Sequence, residues 1–188
     1  MVQEVTQRHG RLYQPARDGR IFHAATAVGG VAPGTSISTT MGFTLFNPPG
    51  SGVTIAILKA AVGYISGTLG AGTIFHLTNS NLAEAVPTGT AIVEKSAIAG
   101  GGGYGAAKGV ALTTATVAVA PTIVRPFASL QASLASTAVG PWQAQEDLGG
   151  DIILPEGGAY SLHAVAAAGS SPLVAYGVTW EEIPDGVA

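Results

Sequence analysis

The sequence predicts an all-β chain folded as an antiparallel sandwich or barrel. Three observations predict it: apolar residues recur at every second position, clusters of Gly, Pro, Asn and Ser separate short runs, and no segment carries a long amphipathic helical stripe.

The strands are read in chain order. Ile37, Thr39, Met41, Phe43 and Leu45 alternate with Ser38, Thr40, Gly42 and Thr44, the pattern of a half-buried strand. Asn47-Pro48-Pro49-Gly50-Ser51-Gly52 breaks it with turn chemistry, and residues 53–58 resume as a second strand. Residues 73–78 form a third, with Phe75 and Leu77 on one face. Residues 112–119 and 122–127 add two more, and residues 151–154 a short one stopped by Pro155-Glu156-Gly157-Gly158. Residues 160–165 and 173–182 close the series. Val174, Tyr176, Val178 and Trp180 share a face of the last strand, a stripe that serves a core or, through its aromatics, a subunit contact. Ala83-Glu84-Ala85 and residues 129–138 offer at most a helical turn or two, the second weakened by its serines.

Composition narrows the class. The chain has 188 residues and a mass of 18.7 kDa, enough for one domain with a substantial core. Charged residues make up 10%, well below the roughly 25% of an average domain, which excludes a disordered charged chain and suits a surface that meets other protein. There is no cysteine, so disulfides, thiolate metal sites and a Cys nucleophile are excluded. Residues 21–58 and 157–180 lack Asp, Glu, Lys and Arg, but Gly, Pro, Ser and Thr interrupt them too often for a membrane helix. The polar start has no signal-peptide core, so we expect a soluble protein made in the cytoplasm.

Charge is unevenly placed. Arg8, Arg11, Arg17 and Arg20 stand beside only Glu4 and Asp18, so the first twenty residues are net positive, while the last forty or so are acidic. Residues 1–25 are read as an extended arm that reaches an acidic partner surface, and residues 26–188 as the β domain. With a net charge of −3 and no aromatic platform beside the arginines, a nucleic-acid partner is not expected.

No catalytic or cofactor constellation is present in the sequence. Gly100, Gly102 and Gly105 satisfy G-x-G-x-x-G only because glycine is abundant there, with neither the preceding parallel strand nor the following helix. His9, His23, His76 and His163 form no metal-ligand spacing, although His76 and His163 lie on strands that can meet. Ser51 reads as a turn former, and Glu181 and Glu182 point to opposite faces of a strand.

The segment Leu45-Phe46-Asn47-Pro48-Pro49-Gly50-Ser51-Gly52-Val53-Thr54-Ile55-Ala56-Ile57-Leu58-Lys59 resembles a hairpin of small tailed-bacteriophage virion proteins. So does the closing stretch, Ile153-Leu154-Pro155-Glu156-Gly157-Gly158-Ala159-Tyr160, then Pro172-Leu173-Val174 and Thr179-Trp180-Glu181-Glu182-Ile183-Pro184. Together the quoted residues cover about a sixth of the chain. The resemblance implies a jelly-roll β-sandwich and a non-enzymatic capsid decoration or cement protein. It would bind the major capsid protein on the virion surface as a homotrimer, with Arg8, Arg11, Arg17 and Arg20 as the capsid-binding arm. Leu154-Pro155-Glu156-Gly157-Gly158-Ala159-Tyr160-Ser161-Leu162 is also similar to a hairpin of tumour-necrosis-factor-like trimers, where the strand lines the trimer axis. That likeness places Tyr160 and Leu162 at an oligomer interface, joined by Tyr176 and Trp180. The alternative is a trimeric head- or tail-fibre module that binds a host receptor or glycan through Tyr64, Tyr104 and Trp142.

Overall fold

A computed structural model describes residues 10–82, 85–100, 106–130, 143–166 and 170–186. Among these residues one short helix, α1 (Tyr13–Arg17), precedes eleven strands. They are β1 (Ile21–Ala25), β2 (Thr40–Phe46), β3 (Val53–Thr68), β4 (Gly72–Thr78), β5 (Thr88–Ala91), β6 (Lys95–Ser96), β7 (Val110–Thr116), β8 (Thr122–Leu130), β9 (Gln143–Leu154), β10 (Ala159–Ala166) and β11 (Ser170–Pro184).

The strands make two antiparallel sheets packed as a sandwich. The first has the order β6-β1-β11-β3-β9 and the second β5-β7-β2-β10-β4-β8. With β5–β7 set aside as an excursion that adds strands to both sheets, each principal strand crosses to the opposite sheet except β8, which follows β4 in the same one.

Alternation builds the core between the sheets. Phe43 and Leu45 of β2, Ile74 of β4 and Tyr160 and Leu162 of β10 face Phe22, Ile55, Ile57, Leu154, Val174, Tyr176, Val178 and Trp180 of the first sheet. Each fully buried aliphatic or Phe side chain here contributes roughly 1.5–3 kcal/mol relative to exposure. Trp180 stacks on Phe22 with ring centroids 6.0 Å apart.

This core corrects the interface expectation. Tyr160, Leu162, Tyr176 and Trp180 are at most 1% exposed and pack inside one subunit, so none offers surface to a neighbour. Their stripe is apolar because the chain's own opposite sheet covers it.

The arm is also corrected. Ile21–Ala25 is not extended arm but β1, held between β6 and β11, with Phe22 and Ala24 turned into the core. The domain therefore begins well before residue 26, and α1 leads directly into its first sheet.

Two strands run further than the alternation indicated. β3 continues to Thr68 along the similarly long β11, the two pairing near the centre of the first sheet. β9 starts at Gln143 and passes through Gly149 and Gly150, whose φ of 60° and 93° makes a bulge that glycine tolerates at little cost. That glycine pair reads as a break in the sequence, yet the ladder with β3 resumes at Ile152. The reading of residues 129–138 as helical fails at its start, because Ser129 and Leu130 belong to β8, and the remainder lies outside the described residues.

Candidate functional site

The two stretches that carry the resemblance meet at one end of the sandwich. Asn47 is fully buried at the end of β2, and its Nδ2 donates to the carbonyls of Val53, 2.8 Å away, and Leu154, 3.0 Å away. Its backbone N–H donates to the Gly158 carbonyl, and its own carbonyl accepts from Gly157 N–H. Gly52 N–H donates to the Glu156 carboxylate at 2.9 Å, which helps hold that carboxyl below its usual range. Ser51 shares hydrogen bonds with Val53 and completes the turn, as its position between two glycines indicates. These residues lock two loops together, so the motif reports a fold.

The arginines are partly consumed by the domain itself. Arg11 Nη2 pairs with Asp147 at 3.1 Å, and Arg20 Nη1 pairs with Glu181 at 2.9 Å. Arg17 is exposed on α1, and Arg8 lies outside the described residues. The four residues are therefore not one free basic strap, because two already neutralise carboxylates on β9 and β11.

A chain of polar groups that the sequence did not reveal closes one side of the sandwich. His76 of β4 is fully buried, with Nδ1 2.6 Å from the Tyr160 hydroxyl and Nε2 2.9 Å from Glu146 Oε2. A carboxylate only accepts, so the neutral ring carries its proton on Nε2, and Nδ1 accepts from Tyr160. Arg125 of β8 donates to Glu146 Oε1 at 2.7 Å and to Asp151 at 3.0 Å. Phe127 packs over the imidazole, with centroids 4.9 Å apart.

Burial lowers the His76 pKa and outweighs Glu146, which pulls it up. Burial also pushes the Glu146 carboxyl up, but hydrogen bonds from His76 and Arg125 outweigh it and leave the carboxyl lowered. Desolvation raises Tyr160 well above its usual range. A tyrosine, histidine and glutamate in line form the skeleton of a proton relay. Here both ring side chains are sealed in the core and only the Glu146 and Arg125 end of the chain reaches the surface, so the arrangement ties β8 and β9 to β4 and β10.

The other candidates fall apart in space. His76 and His163 lie on paired strands but on opposite faces of the second sheet, since His76 pairs with Leu162 and His163 with Phe75. His163 Nδ1 accepts from Gly42 N–H at 3.1 Å, while its buried Nε2 has no hydrogen-bond partner. Glu181 and Glu182 do diverge. Glu182 points inward, where its carboxylate accepts from Trp180 Nε1 and from Lys108 and Gly109 N–H, pinning the β6–β7 connection to β11. Tyr64 donates its hydroxyl to the Gly67 carbonyl within β3, and Tyr104 and Trp142 lie outside the described residues. No helix among the described residues is long and apolar enough to cross a membrane.

One side open to a partner is that where β8 and β9 end their sheets. Ile123 and Val124 of β8 and Ile153 of β9 are exposed there, on either side of the Arg125–Asp151 pair. Pro126, two register shifts in β8 and the carboxylates of β9 blunt both strands against adding a further strand. This side can pack against another protein through side chains, but it is badly shaped for backbone pairing. No known protein family, curated protein or solved structure matches this chain.

Proposed function

We propose that this chain is a structural protein of a virion: a jelly-roll capsid decoration or cement protein of tailed-bacteriophage type. In this reading it sits as a homotrimer on the major capsid protein at the outer surface of the shell and stabilises it, without catalysis. The observation that carries the proposal is the exposed apolar side chains on the two blunted edge strands, Ile123, Val124 and Ile153, on a body with only 10% charged residues. Such a side stays soluble as a monomer and gains from being covered by a neighbour. The strand order supports the jelly-roll part, because eight principal strands divide four and four between two sheets and alternate between them except from β4 to β8. Three linked copies would multiply weak shell contacts through effective concentration.

The test is occupancy. Purified chain is incubated with undecorated heads whose major capsid protein is encoded in the same genome, then imaged by electron microscopy. A regular lattice of projections is expected, and bare heads would reject the proposal. Light scattering on the same sample is expected to give three times the 18.7 kDa chain mass.

A further inference from the structure

The outward face of the first sheet carries a built trough. In register across four strands stand Ala25 of β1, Gly177 of β11, Ala61 of β3 and Gln145 of β9. The next outward row repeats the theme, with Ala175 opposite Gly63 and Gly63 opposite Gln143. Two adjacent rows therefore lack side chains beyond a methyl over the central strands. The row on the other side is polar: Lys95 of β6, His23 of β1, Thr179 of β11, Lys59 of β3 and Asp147 of β9. The result is a depression of about 460 Å³ with a floor of Ala25, Ala61 and Gly177 and a wall bearing two lysines.

Charge decides what fits. Neither Lys59 nor Lys95 has an ion pair among the described residues, whereas Arg11, Arg20 and Arg125 all do. Asp147 at the end of the row is already matched by Arg11, so the wall is net cationic. His23 Nδ1 is held 2.8 Å from Thr179 Oγ1 and adds a neutral polar group between the lysines.

Spacing decides the shape. Lys95 and Lys59 are three strand spacings apart, roughly 14 Å at ~4.8 Å each. An extended chain rises ~3.3 Å per residue, so carboxylates four residues apart span roughly 13 Å and lie on one side of it. We infer that this trough binds an extended acidic segment of a partner protein, with carboxylates at positions i and i+4 on Lys59 and Lys95 and small side chains on the alanine–glycine floor. The inference deepens the shell-attachment reading by naming the partner's chemistry and rests on it only for the partner's identity.

The test uses the full chain, isotope-labelled, and the peptide acetyl-Glu-Ala-Ala-Ala-Glu-amide at low salt. Saturable amide shifts are expected at Ala25, Ala61 and Gly177, and high salt should weaken them. The double substitution Lys59→Gln with Lys95→Gln should abolish them while leaving the rest of the spectrum in place. Acetyl-Lys-Ala-Ala-Ala-Lys-amide should give none. Shifts centred on Arg17 or Lys108, or shifts that survive the double substitution, would overturn the inference. Self-association that depends on the two lysines would also overturn it, by assigning the face to a second copy. Peptide binding with bare heads would remove the shell reading and leave the trough. Decorated heads without peptide binding would remove the trough and leave the shell reading.

Discussion

On the outer side of the second sheet, Thr44, Leu77, Leu112, Ser161 and His163 are all buried, while on the outer side of the first, Ala25, Lys59, Ala61 and Gly177 remain half-buried or exposed. The difference lies in what covers each. Leu77 and Leu112 join Met41, Ala115 and Val117 in a second apolar cluster, with Ile37 and Phe75 packed against it. Thr44 and Ser161 satisfy each other through hydroxyls 2.8 Å apart beneath that cover. The second sheet is therefore apolar on both faces, and the first keeps one face for solvent or a partner. The buried outward residues of the second sheet belong to the chain's own stability. The outward residues of the first around Ala25, Ala61 and Gly177 are free to serve recognition, although Ile21 and Ala56 on the same face are buried.

Substitutions sharpen this contrast. Leu77→Ala removes a fully buried side chain from the covered face and should cost about 2–4 kcal/mol in urea denaturation, whereas Lys59→Ala on the open face should stay within about 0.5 kcal/mol. Equal losses would mean that the first sheet is covered too. Gly42→Ala comes next. A Cβ there would stand 2.6 Å from the Tyr176 ring, so overpacking should cost about 1–3 kcal/mol. Gly177→Ala on the open face meets nothing closer than 3.9 Å and should change stability by less than about 0.5 kcal/mol.

Protonation gives the finest comparison. Burial lowers the pKa of His163 on the covered face, and burial with Lys59 lowers that of His23 on the open one. A folded-state pKa below the unfolded value of about 6.5 means that the unfolded chain binds more protons. The stability from each histidine is thus complete above that value and declines as pH falls through it. His163 is 4% exposed and His23 only half-buried, so His163→Gln should flatten the fall in stability between about pH 7 and pH 5 more than His23→Gln. His76 contributes in the same direction in both variants. A steeper effect at His23 would contradict the burial difference between the two faces.

The alternation of residues 37–45 and 173–182 made the antiparallel β architecture legible, because a period of two gives each strand one apolar face to bury against another sheet. What lay opposite each stripe was not legible. Tyr176 and Trp180 have the same pattern whether their own sheet or a neighbour's covers them, and here it is their own. Asn47 reads as a turn residue, although its side chain joins carbonyls 6 and 107 positions away. The His76 chain needs Tyr160, 84 positions distant, and Glu146, 70 positions distant, so no local spacing announces it. β1 was hidden by its five-residue length and by the arginines before it. The trough became visible only with strand register, since Ala25, Ala61 and Gly177 are unremarkable singly.

The position of β11 between β1 and β3 sets an order of events. A ribosome delivers the two flanking strands long before the one that joins them, and until Ser170–Pro184 emerges they have a gap where their shared neighbour belongs. The nascent chain must hold unpaired backbone on both sides of that gap until β11 brings Trp180 to the centre of the core. A product cut short before β11 would be left open through the middle of its first sheet.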